Sequence, residues 1–362
     1  MRSFGGPEVL ALTEVAEPVP GPDEVRVRVA AVEVARTRDI ATRGGAHPFS
    51  RRVSLPHILG GDCVGVIDAV GDRVSDLPIG TRVAVATHAI CGTCAHCAAG
   101  HDEVCERLRL LGIDMPGSYA ELVVAERGSV AELPAGVLVA QAAALAADGP
   151  VALEQLELAR VDEGQRVLVV GVGEALGSTV ACLAAARGAR VWGLSRRSSA
   201  ALATLPLEGV VSTLSERLEE ELLEQTAGGG LDVIVDNVTL APVVARYWPA
   251  LSVGGRVVIS GALGDAPLPI PARALYTRNQ SVIGVRSASR ATAAKLWGRV
   301  SAGFRLPPES IRVLALDQAE AAHRDAAGPR DLGHLLLAPA GEEWPEGSTT
   351  GRADPGEGSN MG

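Results

Sequence analysis

The apolar run RVLVV (166–170) passes directly into Gly171-Val-Gly173-Glu-Ala-Leu-Gly177, which opens a helical stretch near 176–187. A strand that feeds a glycine-rich turn and then a helix leaves few folds open. Glycines let the backbone turn sharply and let a phosphate approach the amides at the helix start, where the helix dipole favours negative charge. The alternation continues with a strand at 189–194, a helix near 214–226, a strand at 231–236, a helix near 241–251 and a strand at 255–260. Repeated β-α-β units close right-handed crossovers and build a parallel, doubly wound sheet. The chain is therefore expected to hold a dinucleotide-binding domain over 146–284.

The spacing is G-x-G-x-x-x-G, one residue longer than the usual fingerprint, and Glu174 brings a carboxylate to the phosphate side of the turn. The second strand ends in Leu194-Ser195-Arg196-Arg197, where proteins that prefer NAD carry a carboxylate for the ribose hydroxyls. A hydroxyl and two guanidiniums suit a 2′-phosphate. The expected cofactor is NADPH, held by Gly171, Gly173, Gly177, Ser195, Arg196 and Arg197.

Before this unit the texture is one of short strands and turns. Val25, Val27 and Val29 alternate with charged residues, and DCVGVIDAVG and GTRVAVAT add apolar runs punctuated by glycine. An antiparallel, barrel-like β domain over 1–145 follows. The alanine- and leucine-rich AQAAALAADGPVALEQLELA marks the boundary. After Gly284 come one helix, a strand-like IRVLAL and GHLLLAP, expected to rejoin the first domain over 285–340. Residues 341–362, rich in Gly, Glu, Ser and Pro, offer little to bury and are expected to be disordered.

Four of the six cysteines crowd into one lobe, 88–110, as Cys91-x-x-Cys94-x-x-Cys97-x7-Cys105. Four thiolates at that spacing suit a tetrahedral zinc and leave no open position, so this ion holds structure. His96 and His101 share the lobe and are expected to be exposed. Cys63 and Cys182 lie in apolar contexts as buried thiols.

Length and charge narrow the function. With 362 residues the chain has bulk for two domains. Its net charge is −10 and no basic block could neutralise a phosphate backbone, so nucleic acid is not an expected partner. No apolar run nears the roughly 20 residues of a membrane span, and the first residues lack a secretory signal, which points to the cytoplasm.

Taken together, these pieces resemble the medium-chain dehydrogenase/reductase superfamily, through about residue 338. The resemblance implies a GroES-like β-barrel catalytic domain, a Rossmann domain and a homodimer paired through the edge strand at 281–287. The opening FGGPEVLALTEVAEPVPGPDEVRVRV and the segment LGGDCVGVIDAVG resemble the quinone oxidoreductase branch, whereas CGTCAHCAAGHDEVC resembles the zinc alcohol dehydrogenases. Where those enzymes bind catalytic zinc, this chain has Arg36, Gly61 and, approximately, Ala147, none a zinc ligand; Asp148 lies beside the third position. The expectation is hydride transfer from NADPH to an enone, enal or quinone without catalytic zinc, the structural zinc being the one metal. Arg36, His57 and Asp62 are the candidate catalytic residues, with Arg38 and His88 as further donors. Two alternatives stand beside it: a metal-independent alcohol or polyol dehydrogenase, and a silent NADPH-binding protein.

Overall fold

Alternation of valine with charge produces β1 (Glu24–Glu33): Val25, Val27 and Val29 are buried, while Arg26 and Arg28 both reach Asp68 on the neighbouring strand. From Ala30 onward every residue of β1 is buried, which carries Glu33 into the interior. The computed structural model describes residues 1–196, 200–261, 266–328, 333–339 and 343–344. A π-turn, Arg36–Ile40, follows β1 and runs into the short α1 (Ala41–Arg43). Then come β2 (Cys63–Val70), β3 (Arg82–Val85), β4 (His88–Ala89), α2 (Ala95–Ala98), β5 (Arg109–Leu110), β6 (Leu122–Glu126) and β7 (Val130–Glu132).

The 20-residue α3 (Val139–Leu158) leads into the second unit and packs Ala142, Ala143, Leu145, Leu153 and Leu156 into the largest apolar core. That unit comprises β8 (Arg166–Val170), α4 (Ala175–Ala185), β9 (Arg190–Ser195), β10 (Gly209–Ser212), α5 (Leu218–Gln225), β11 (Leu231–Asp236), α6 (Ala241–Tyr247), β12 (Leu251–Ile259), α7 (Ala272–Thr277) and β13 (Ser281–Gly284). Its strands are all parallel, in the order β10-β9-β8-β11-β12-β13. The chain leaves β8 in one direction and returns to β11 on its other side, so the crevice beyond the carboxyl ends of β8 and β11 is the place for a ligand.

The chain then forms α8 (Arg290–Ser301), β14 (Ile311–Ala315), α9 (Ala319–Ala327) and β15 (His334–Ala338). β15 pairs with β1, setting Glu33 opposite Leu336, and completes a sheet ordered β14-β15-β1-β2-β3-β7, with β6 also on β1. This Rossmann-type sheet beside a GroES-like β unit is the α/β architecture expected. Of the segment expected to be disordered from 341, only Glu343 and Trp344 are described. Trp344 is docked: its indole N–H donates to the Val137 carbonyl and Arg82 stacks on its ring. The rest of that segment, like Arg197, lies outside the described residues. No described helix is long and apolar enough to cross a membrane.

Candidate functional site

In the cysteine lobe, the Sγ atoms of Cys91, Cys94, Cys97 and Cys105 lie at 3.5 Å (Cys94–Cys97, Cys91–Cys105) and 4.0 Å (Cys91–Cys97, Cys94–Cys105). Zinc–thiolate bonds of about 2.3 Å in a tetrahedron give sulfur edges of roughly 3.8 Å, the centre of this range. The six cysteines are free thiols, and the four in the lobe form a ready zinc cage. His96 and His101 stand outside it, exposed and facing Glu106 and Glu103.

At the sheet's switch point, Gly171 takes φ +79°, and a Cβ on Gly177 would run into the Gly171 carbonyl, so two of the three glycines are required by the turn itself. Gly173 is different. A Cβ there would meet Leu202 at 3.6 Å and the Ser195 hydroxyl at 3.9 Å, ordinary contacts. The chain does not need glycine at 173, but a phosphate drawn close to the backbone would. Ser195 ends β9 beside this turn, and Arg196 is exposed just beyond it.

The candidate catalytic residues do not assemble as a group. Arg36 points away from Asp62, toward Glu174 of the glycine-rich turn, at 3.7 Å. His57 is buried against the chain's start, exchanging backbone hydrogen bonds with Met1, and burial lowers its pKa. The partner of Asp62 is Arg38, at 2.6 Å; Thr87 adds its amide and hydroxyl to the same carboxylate. Arg38 also donates to Thr87 and to both oxygens of Asp39. Burial opposes its charge, but Asp39 and Asp62 outweigh that and hold it protonated. A Cβ at Gly61 would fall within the Arg38 guanidinium. A fixed cation thus fills the space beside the position where the zinc enzymes carry a histidine.

A buried relay continues from Asp39. Arg43 donates to His323 Nδ1 at 3.1 Å, and His323 Nε2 meets the Tyr119 hydroxyl at 3.0 Å, which lies 3.4 Å from Asp39. Arginine can only donate, so Nδ1 accepts and Nε2 carries the hydrogen toward Tyr119. Burial lowers the His323 pKa to about 4 and raises that of Tyr119.

A third cluster was not legible in the spacing. Glu33 from β1, Asp148 from α3 and His334 from β15 bring one ligand atom each within 4.8 Å of one another. His334 Nδ1 is 3.0 Å from Glu33 and 3.7 Å from Asp148, close to the roughly 3.3 Å edges of a tetrahedron around zinc with oxygen and nitrogen ligands. The other ring nitrogen lies 3.0 Å from the Thr179 hydroxyl, which itself donates to the Ala175 carbonyl. Thr179 therefore accepts from Nε2–H, leaving Nδ1 facing two carboxylates, an arrangement that calls for a proton or a metal ion between them. Burial pushes the Asp148 carboxyl up to about 8, with the charge of Glu33 adding to it and His334 opposing. The donor set of two carboxylates and an imidazole fits zinc. The signal in the sequence was a charged or titratable residue inside each of three apolar segments: VAAVEV, ALAAD and HLLLA.

Residues 21–135 match the alcohol dehydrogenase GroES-like domain, and residues 175–302 the zinc-binding dehydrogenase domain. An alcohol dehydrogenase of Moraxella sp. is 30% identical over 312 residues, 83% of this chain and 90% of its own. The chain belongs to the zinc-containing alcohol dehydrogenase family. L-galactonate-5-dehydrogenase of Escherichia coli K12 is 28% identical over 90% of this chain and 95% of its own. The crystal structure of an NAD-dependent alcohol dehydrogenase superposes with a TM-score of 0.85 at 31% identity, covering 93% of this chain and 98% of that one.

This family carries a nicotinamide cofactor, and membership corrects two expectations. The likeness to the quinone oxidoreductase branch rested on the opening segment and on LGGDCVGVIDAVG, whereas relatives matched over most of their length are named alcohol and L-galactonate dehydrogenases. Reduction of an enone, enal or quinone without catalytic zinc is overturned by the same relatives and by Glu33, Asp148 and His334. Asp148 is the residue noted beside Ala147; Glu33 and His334, which complete a candidate metal-holding group with it, lie away from the aligned positions Arg36, Gly61 and Ala147.

Proposed function

We propose that the chain is a nicotinamide-dependent dehydrogenase acting on a secondary hydroxyl of a polyol, sugar acid or simple alcohol. The observation that carries this reading is the Glu33–Asp148–His334 cluster in a chain whose full-length relatives oxidise alcohols. Glu33, Asp148 and His334 are the residues that would hold a catalytic zinc, which when bound supplies the Lewis acid that eases loss of a hydroxyl proton. Thr179 fixes the His334 ring, and Arg38, saturated by Asp39, Asp62 and Thr87, forms a rigid polar wall. The glycine-rich turn would hold the dinucleotide over the crevice, and its nicotinamide would supply the acceptor for the carbinol hydride.

For the cofactor we infer NADP(H), because Ser195 and Arg196 offer a hydroxyl and a guanidinium, and no carboxylate, beside the adenosine end of the crevice. Relatives named NAD-dependent make this a sharp question: Arg196→Ala should erode NADP(H) binding and spare NAD(H), and unchanged discrimination would refute it. A homodimer through β13 is part of the same proposal, with Val253, Tyr276 and Val282 exposed along that edge.

The test is oxidation of a panel of secondary alcohols, polyols and aldonates with either cofactor, alongside zinc analysis. The reading expects alcohol-dependent cofactor reduction and two zinc ions per chain. A single zinc with no turnover of any alcohol would sink it.

A further inference from the structure

Arg36 and Glu174 meet across the mouth of the crevice, one from the turn after β1 and the other from the start of α4. Their closest atoms are 3.7 Å apart, with side chains 38% and 48% exposed. Among the described residues, Arg36 makes one other polar contact, a 3.5 Å hydrogen bond to the Ala327 carbonyl. Glu174 occupies the N-cap position of α4, yet its carboxylate makes no capping hydrogen bond. The first amides of a helix have no partner within it and suit an anion, and the packing of the turn does not itself demand the glycine at 173, where a Cβ would make only ordinary contacts. A dinucleotide brings two negative charges to this point, where Glu174 opposes them and Arg36 stands within reach of both.

We propose that Arg36 is a diphosphate-binding residue contributed by the β-barrel unit, parked on Glu174 until the dinucleotide arrives and then exchanged onto its phosphates. The exchange is favourable because an exposed, loosely spaced ion pair is weak, whereas a guanidinium can hold phosphate oxygens in a fixed, two-pronged geometry. Arg36 is thereby a cofactor-binding residue, in place of the catalytic role expected from its sequence position. Glu174 acts as a brake that tunes affinity.

A double-mutant cycle tests this with ADP-ribose, which carries the diphosphate without nicotinamide, so the result does not depend on which substrate the enzyme oxidises. Dissociation constants are measured by calorimetry on the full zinc-loaded chain, native and with Arg36→Gln, Glu174→Gln and both. Both positions are half-exposed, and thermal unfolding checks that each variant folds. We expect Glu174→Gln to bind several-fold tighter than native, and Arg36→Gln to bind roughly tenfold weaker. The double variant should stay roughly tenfold weaker than Glu174→Gln. If the double variant matches Glu174→Gln, Arg36 only neutralises Glu174 and the proposal falls; it also falls if Glu174→Gln leaves the affinity unchanged. Arg36→Lys, which keeps the charge but not the fork, should lie between native and Arg36→Gln.

Discussion

His323 is wholly buried between Arg43 and Tyr119, and its pKa falls from 6.5 to about 4, chiefly through burial. The unfolded chain takes up a proton on this ring near 6.5, while the native chain refuses it until about 4. Between those values the unfolded state binds more protons, so stability rises with pH. The contribution is complete above 6.5 and is lost as the pH falls through the window. At about 1.4 kcal/mol per unit, the whole window is worth about 3 kcal/mol, and the step from about pH 7 to about pH 5 is worth about 2 kcal/mol. His323→Gln isolates the effect: its amide oxygen can accept from Arg43 and its NH2 can donate to Tyr119, but it does not titrate. Urea unfolding of both proteins at the two pH values should show native losing about 2 kcal/mol more than the variant, with unchanged m-values. Other groups titrate equally in both proteins and cancel. An equal loss in the two would show that His323 is protonated or rearranged in the folded state, and the relay direction assigned from Arg43 would be wrong.

Four further outcomes follow from the geometry. Asp148→Asn or His334→Ala should remove one zinc and leave the one in the cysteine lobe, lowering alcohol oxidation by at least about 100-fold; metal analysis beside turnover decides. Cys94→Ser should empty the lobe and lower the unfolding temperature, and retention of full zinc content would refute the four-sulfur assignment. Arg38→Met strands Asp39 and Asp62 without their cation and should cost about 3–5 kcal/mol in urea unfolding. Gly177→Ala drives a methyl into the Gly171 carbonyl, so dinucleotide binding measured by NADH fluorescence should be lost or severely weakened, at a stability cost of about 1–3 kcal/mol.

Features set by local periodicity could be read directly from the chain. The strand at 231–236 is Leu231–Asp236, the run 166–170 is Arg166–Val170, and the glycine turn between them sits at the switch point of the sheet. The cysteine lobe was legible for the same reason, since its four ligands share one short loop. The Glu33–Asp148–His334 cluster was not, because β1, α3 and β15 come together only when β15 returns to pair with β1. The fate of the arginines was hidden by the π-turn, whose wide step sends Arg36 and Arg38 to different places although they are two residues apart. Trp344 was not singled out by composition: its indole bonds the Val137 carbonyl and stacks with Arg82.

The placement of charge bears on where the proposed ion would sit. Asp39 and Asp62 share Arg38, and those three groups satisfy one another. With that guanidinium lodged beside Gly61, a divalent ion at the aligned family position would face a fixed like charge at close range, a strongly unfavourable arrangement in a buried site. Glu33 and Asp148 form a different grouping: two carboxylates near one imidazole. Asp148 answers by holding its proton up to about 8, chiefly because it is buried and secondarily because Glu33 is near, with His334 and Arg38 only partly opposing. Arg38 therefore does two things at once. It sets a fixed positive charge beside Gly61 and, on the proposed reading, leaves Glu33, Asp148 and His334 as the group that would hold the catalytic ion. By this reasoning Arg38 and the triad stand or fall together. Restoring a histidine at Gly61 while Arg38 remains should not move the ion, whereas removing Arg38 weakens the preference for the triad.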